Sequence, residues 1–343
     1  MTSSLQSISE PRVLVTGAGG PAGVAVLRAL ATEAQLFAVD MDACAVGLYL
    51  YLVGPERRSL VPAGHDPQFV DRLLELCDRW EIDVVIPTVD AELEPLAVRR
   101  AEFEAAGVDM MLGPIEALRT CLDKWELATA VADSPVRAPR TLLLDAGFDI
   151  NAVPSWPAII KPRCGSGSRG VRIIESSRDL EQVPMDGSHI IQEYLPGEEL
   201  SVDVFVDRLG RLIGAVPRVR LKVDSGVSVA GRTLADPDAV ALARYVAEAV
   251  GLRGPANVQC KRARDGRLAL LEVNPRFPGS LPLTIASGFD IPRLALQDVR
   301  GEQLEPLDGF REVAQVRHWE DVEIPLDAMD SLRTATHPRE VAA

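Results

Sequence analysis

The sequence of 343 residues predicts a doubly wound α/β unit followed by an α+β unit dominated by antiparallel strands. Three observations predict this. The chain is longer than one ordinary core, so two or three domains are expected. Its first hundred residues alternate strand-like and helix-like segments. From about Gly113 that alternation gives way to short strands at hairpin spacing.

The first unit spans residues 1–112. Arg12-Val-Leu-Val-Thr16 reads as a short buried strand. Pro21 to Ala31 reads as a helix, with proline in the first turn where its missing N–H costs nothing. Leu36-Phe-Ala-Val-Asp40 is the second strand. Asp66-Pro67 supplies an N-cap and a first helical residue for a helix to about Arg79. Asp83-Val-Val-Ile-Pro87 is a further strand, and Ala91 to Ala105 a further helix. Such alternation implies a parallel sheet.

The second unit spans residues 113–326, divided near residue 190. A helical stretch, Pro114 to Ala132, precedes a segment punctuated by Pro135, Pro139, Pro154 and Pro157. Strands are expected over Ala158–Lys161, Val171–Glu175, His189–Tyr194, Leu200–Asp207 and Arg211–Val216. Asp236-Pro237 caps an apolar helix to about Val250, whose Val240, Ala243, Val246, Ala247 and Val250 share one face. A hairpin from Ala256 to Asn274 follows. Residues 327–343 are polar and expected to be loose. There is no internal repeat.

Composition narrows the function classes. Lys and Arg number 36 against 50 Asp and Glu, a net charge of −14 that repels nucleic acid and anionic membrane, and basic runs such as Arg218-Val-Arg-Leu-Lys222 are short and could equally hold a phosphate or a carboxylate. The five cysteines (Cys44, Cys77, Cys121, Cys164, Cys260) are odd in number and show no CxxC spacing, which argues against a disulfide framework and a zinc site. No apolar run approaches the roughly 18 residues of a membrane span. The N-terminus carries no basic-then-apolar signal pattern, so the cytoplasm is the expected location. The histidines (His65, His189, His318, His337) are too dispersed to suggest a catalytic base.

The terminal hairpin carries the first chemistry. Asp265-Gly266 is a favoured two-residue turn pair. If it forms the turn, Gln259 lies opposite Glu272 and Asn257 opposite Asn274. Residues two apart on a strand share a face, and paired Cβ atoms sit about 5 Å apart. Gln259, Glu272 and Asn274 then bring oxygen-bearing side chains to one patch, a donor set that suits Mg²⁺. Pro275 ends the strand and Arg276 follows, where a phosphate charge could be met. Taken alone, such a polar pair can also mark the solvated face of an amphipathic hairpin.

Upstream, Ile159-Ile-Lys161-Pro-Arg-Cys-Gly165-Ser166-Gly167-Ser168-Arg-Gly170-Val171 reads as strand, Gly/Ser loop and strand. Small residues let backbone N–H groups approach phosphate oxygens, and Lys161 adds a cation beside them. This is no Walker A loop, which needs Gly-Lys-Ser/Thr leading into a helix. Ile191-Gln192-Glu193-Tyr194-Leu195 is an apolar strand end before Pro196-Gly197 and Glu198-Glu199. Backbone at such a hinge can bond an adenine edge, and a nearby carboxylate can take ribose hydroxyls.

In this order, residues from about Leu112 to Gly288 resemble the ATP-grasp superfamily, in particular its carbamoyl-phosphate-synthase-large-subunit-like branch. Asp123-Lys124 is similar to the first nucleotide-contacting basic position, and Lys161 with Gly165–Gly170 to the second lysine and the loop over the phosphates. Gln192-Glu193-Tyr194-Leu195 resembles the adenine hinge, and Glu199 the ribose carboxylate. Asn257-Val-Gln259 and Glu272-Val-Asn-Pro-Arg276 resemble the metal-binding strands, with Gln259, Glu272 and Asn274 as ligands. The resemblance implies an N-terminal pre-ATP-grasp domain, ATP and Mg²⁺ as cofactors with Mn²⁺ as a substitute, and often a homodimer. It further implies a ligase that activates a small carboxylate as an acyl phosphate and joins it to an amine. Arg276 and Lys161 would serve the transferring phosphoryl, and Lys222–Ser228 would form a loop closing on substrate.

Other readings stay open. Carbamate or bicarbonate phosphorylation is one, although no second grasp module is present. Val13-Leu-Val-Thr-Gly17-Ala-Gly19-Gly20-Pro-Ala-Gly23, with Asp40 ending the next strand, also suits an NAD(P) fold. No Tyr-x-x-x-Lys pair accompanies it, and the resembled family uses such a turn for packing or acceptor binding. Asp90 and Glu92, after the strand ending Pro87-Thr88, face an acceptor substrate or cap the next helix. A non-catalytic nucleotide-binding module is the last alternative.

Overall fold

The computed structural model describes residues 10–153, 155–165, 167, 169–224 and 227–336. The chain divides into two compact units, one formed by residues up to Met111 together with those from Glu320, the other by Leu112–Trp319. Among the described residues no helix is long and apolar enough to cross a membrane.

The first unit runs β1 (Arg12–Val15), α1 (Pro21–Ala29), β2 (Gln35–Asp40), β3 (Arg58–Leu60), α2 (Phe69–Trp80), β4 (Val84–Ile86), α3 (Asp90–Val98), α4 (Arg100–Ala105) and β5 (Asp109–Met110). All pairings are parallel, in the order β3-β2-β1-β4-β5. The order reverses at β1, as in doubly wound sheets. Val13, Leu14 and Val15 are fully buried, as a central parallel strand requires. Three details depart from expectation. Helix α2 begins at Phe69, because Asp66 caps a preceding turn by accepting from the Gln68 N–H at 2.8 Å. The helix expected over Ala91–Ala105 breaks at Arg99 into two. Strands β3 and β5 were too short to stand out in the sequence.

The second unit opens with α5 (Ile115–Leu122) and α6 (Lys124–Ala130), one expected helix broken at Asp123, whose carboxylate caps α6. Next come β6 (Thr141–Leu143), β7 (Ala158–Pro162), β8 (Arg172–Ile174) and β9 (His189–Glu193), an antiparallel sheet in the order β6-β9-β7-β8. A second sheet takes β10 (Glu199–Val206), β11 (Leu212–Asp224), β12 (Val227–Thr233), β13 (Gly254–Arg262), β14 (Leu268–Asn274) and β15 (Ala314–Val316), in the order β14-β13-β10-β11-β12-β15. Helix α7 (Pro237–Val250) lies before β13, and α8 (Leu281–Ala286) and α9 (Ile291–Val299) after β14. Lys222–Ser228, expected as a loop, belongs to the hairpin of β11 and β12, with Ser225 and Gly226 outside the described residues.

Helix α7 matches its sequence signals: Asp236 accepts from the Ala239 N–H at 3.0 Å, and Gly251 ends it at φ +66°. Its buried face is Ala239, Leu242, Ala243, Val246, Ala247 and Val250, with Val240 only partly covered. That face packs on Val202, Val204, Val258, Cys260, Leu270 and Val273 of the large sheet. Each large apolar side chain so buried contributes roughly 1.5–3 kcal/mol. The opposite face of the same strands is left for polar residues.

Finally α10 (Leu326–Thr336) rejoins the first unit and packs over β3, with Leu332 buried. The tail expected to be loose is therefore helical as far as Thr336, its polarity being that of a one-sided surface helix.

Candidate active site

The hairpin of β13 and β14 pairs Gln259 with Glu272 and Asn257 with Asn274, the register expected from the turn. The route to that register differs. The loop has three residues, not two: Ala263 N–H bonds Arg267 O at 2.8 Å while Gly266 sits at φ +80°. That offsets the pairing by one residue, so Cys260 faces Leu270 and Arg262 faces Leu268. A bulge at Leu271 then restores it. Two one-residue shifts cancel before the polar patch begins.

The patch continues across the sheet. Asn257 also pairs with Asp203 of β10, and Gln259 with Ser201. Asn274 Nδ2 is 3.5 Å from Glu272 Oε1, and Arg276 Nη2 is 3.4 Å from Asn274 Oδ1. The Glu272 carboxylate thus lines up with the amides of Gln259 and Asn274 on one face. The oxygen donors suit a hard divalent cation with waters and phosphates completing its shell.

The cations come from other elements. Lys124, first residue of α6, reaches to 3.8 Å from Glu272 Oε2 and donates to Gly165 O at 2.7 Å. Asp123 beside it binds Arg163 Nε at 2.5 Å and pairs with Cys164, tying α6 to the glycine loop. Lys161 stands on β7, 7% exposed. Burial pulls its ammonium down to about 8, a drop opposed by Glu272, deepened by Lys124 and opposed by Glu199. In the loop, Gly165 (φ +124°) and Gly167 (φ +71°) have, among the described residues and apart from their chain neighbours, no atom within 4 Å of where a Cβ would be. Gly170 turns the chain at φ +73° against Pro162, and Val171 is exposed before β8. Ser166 and Ser168 lie outside the described residues.

The hinge residues divide. Gln192 is buried in β9, its amide donating to Thr141 Oγ1 at 2.9 Å. Glu193 is held by Arg137 at 3.0 Å, so its side chain is committed to structure. Leu195 packs with Ala263 and Ala269, and Lys261 Nζ stands 5.9 Å from the centre of the Tyr194 ring. Glu199 pairs with Arg220 of β11.

The run Arg218–Lys222 does hold carboxylates, but the pairings themselves escaped the sequence reading. Arg220 partners Glu199, and Arg137 partners Glu193. Asp203, fully buried, receives Arg218 at 2.6 and 2.7 Å together with the Thr284 hydroxyl. Arg317, pulled down by burial and by Arg218, donates to Gly279 O. Period-two alternation along β10 and β11 could have placed Asp203 and Arg218 on the face of Glu199 and Arg220. Their pairing could not be read from it.

In the first unit the glycine turn is filled by protein. A Cβ on Gly19 would lie 2.6 Å from Ala45 Cβ, and Asp40 accepts from the Gly19 N–H at 2.8 Å. The acid that a dinucleotide's ribose would need is thus turned onto the loop itself. Glu92 is buried and receives the Thr16 hydroxyl. Burial raises its carboxyl to about 7 despite that bond, with Asp40 adding to the rise. Asp90 is the first residue of α3, and the N-cap position is Val89, so neither acid is the cap residue.

Comparison with known proteins follows this geometry. A family model described as “PylC-like, N-terminal domain” matches residues 13–111. One described as “ATP-grasp in the biosynthetic pathway with Ter operon” matches residues 186–322. Among solved structures, a biotin carboxylase–β-γ-ATP complex from Campylobacter jejuni is similar at TM-score 0.72 and 17% identity, over 87% of this chain and 73% of that one. The biotin carboxylase domain of 2-oxoglutarate carboxylase from Hydrogenobacter thermophilus, with MgADP and bicarbonate, gives 0.69 and 16% over 87% and 72%. An L-amino acid ligase from Bacillus licheniformis gives 0.66 and 16% over 86% and 75%. At such identities the likeness speaks for the fold. The second unit thus carries a match to an ATP-grasp family model, the first a match to a PylC-like N-terminal domain, and the chain shares the fold of ATP-grasp enzymes along most of its length.

Proposed function

We propose that the chain is an ATP- and magnesium-dependent ligase, which activates a small carboxylate as an acyl phosphate and joins it to an amine, releasing ADP and phosphate. The observation that carries this reading is the meeting of Lys124, Lys161 and Glu272 beside Gly165, which like Gly167 has open space at its Cβ position among the described residues. Two ammonium groups share one carboxylate at 3.8 Å or by longer-range attraction, leaving positive charge to be met by an anion.

Lys124 and Lys161 would hold the α- and β-phosphates, with backbone N–H groups of residues 165–170 taking further oxygens. The backbone from Gln192 to Leu195 would meet the adenine edge, and Glu199 the ribose hydroxyls. Gln259, Glu272 and Asn274 would hold Mg²⁺, or Mn²⁺ in its place, which neutralises charge on the β- and γ-phosphates. Arg276, already bonded to Asn274, would stabilise the transferring phosphoryl or the tetrahedral oxyanion from a fixed position. The MgADP of the Hydrogenobacter thermophilus structure and the ligase from Bacillus licheniformis support this reading by analogy of fold. A net charge of −14 favours small-molecule substrates over nucleic acid or an anionic membrane. Light scattering would check for a homodimer.

A phosphate-release screen of amino acids and small acids, singly and in pairs, tests the proposal. Dependence on two substrates is expected, and Glu272→Ala should abolish turnover. Hydrolysis of ATP that survived this change with the true substrates present would remove Glu272 from the mechanism. A second reading, phosphorylation of bicarbonate, draws on the bicarbonate bound in the Hydrogenobacter thermophilus structure. It predicts phosphate release with bicarbonate as the sole added acceptor.

A further inference from the structure

The cation-facing side chain of Gln259 is an amide, and an amide can turn either end to its target. Only Oε1 can ligate a cation. A chain of hydrogen bonds from Asp203 through Asn257 fixes the choice. Asp203 is buried and bound by Arg218 at both oxygens, so it can act toward Asn257 only as an acceptor. The Asn257 atom 2.7 Å from Asp203 Oδ1 must then be Nδ2. That leaves Asn257 Oδ1 on the other side, able only to accept, and it takes Gln259 Nε2 at 3.2 Å. Gln259 Oε1 is the end left over. It stands on the face where Glu272 is its paired neighbour.

We propose that Asp203 and Asn257 are positioning residues that set the polarity of the Gln259 amide, presenting its oxygen to the metal. The inference rests on the metal assignment made above and deepens it. Its signature is an energetic coupling. A carboxylate at position 259 has two equivalent oxygens and needs no orienting, so Asn257 should matter only while residue 259 is an amide.

The test is Mn²⁺ binding to the full chain with a non-hydrolysable ATP analogue, read by water-proton relaxation. Asn257→Leu should weaken Mn²⁺ binding roughly tenfold or more, the range that loss of an outer-shell partner commonly costs. In the Gln259→Glu background the same change should cost less than about twofold. Thr284→Val removes another bond to Asp203 and should lower the melting temperature while leaving Mn²⁺ binding unchanged. If Asn257→Leu does not fold, Asn257→Ala makes the same comparison with less bulk in β13. Equal losses in both backgrounds, or equal losses from Thr284→Val, would overturn the relay. Failure of the wild-type chain to bind Mn²⁺ beyond the nucleotide's own affinity would instead sink the metal site itself.

Discussion

The glycine turn after β1 and the glycine loop between β7 and β8 each follow a buried strand and each carry three or more glycines within a short span. In the first, side-chain space is already taken. A Cβ on Gly17 would meet Val89 Cγ2 at 2.3 Å, and one on Gly23 would meet Gly17 O at 2.4 Å. In the second, a Cβ on Gly165 or Gly167 would meet nothing within 4 Å among the described residues. One turn is glycine-rich because protein fills it, the other because its backbone is bare and left-handed. Each adjoins a buried ionisable group, and here too they differ. Glu92 has the Thr16 hydroxyl and a rise to about 7, whereas Lys161 has Glu272 and Glu199 within electrostatic reach and a fall to about 8. The lesson is that glycine content reports a tight or exposed backbone, and only the neighbours say which.

The comparison can be broken most forcefully at Gly23. Gly23→Ala pushes a methyl group against the backbone of Gly17 and Ala18, and the first unit should lose on the order of 3 kcal/mol. Calorimetry would show a lower melting transition, while the folded protein keeps its affinity for an ATP analogue. An unchanged transition would mean that the turn is not packed as described.

A smaller effect is expected at Glu92, where it depends on pH. The folded carboxyl titrates near 7 against 4.5 for an unperturbed one. Below 4.5 both folded and unfolded chains hold the proton. Between the two values only the folded chain holds it, so stability falls as pH rises and the contribution is gone above 7. The full swing is roughly 3 kcal/mol, of which structural relaxation would recover part. Glu92→Gln should therefore flatten the dependence of melting temperature on pH between 5 and 8. A Gln variant that tracked the wild type across that range would place the proton elsewhere.

Gly167→Ala should do least to stability. Nothing blocks the methyl group, and the left-handed backbone costs about 1 kcal/mol. Its mark should be on function, as a raised KM for ATP with kcat less affected. A loss of stability as large as that from Gly23→Ala would erase the distinction between the two loops.

Much of this contrast could not be read from the sequence, for physical reasons. The strands of both units and the capped helix α7 follow from periodicity and caps, which are local. The break between α5 and α6 at Asp123 arises because that carboxylate accepts from Trp125 and Glu126 N–H groups and also holds Arg163, forty residues away. The short strands β3 and β5 depend on neighbours for their pairing. Glu272 and Asn274 were legible because residues two apart share a face, and Gln259 because the three-residue loop and the bulge cancel in register. Arg218 stood out only as part of a basic run, and its partner Asp203 not at all, because an ion pair between strands leaves no spacing in the chain. Lys161 was legible as a cation beside the Gly/Ser loop, whereas Lys124 came only from the family resemblance.

The bulge at Leu271 decides which face of β14 carries the carboxylate. Carried on without it, the register that pairs Cys260 with Leu270 would set Glu272 opposite Val258, on the face covered by α7. The carboxylate and Asn274 would then point into hydrocarbon, and Val273 out of it. A single inserted residue thus separates a hairpin that could only be scaffold from one that can meet a cation. In a lineage, loss of that one codon would erase the chemistry while leaving every side chain of the motif in the sequence.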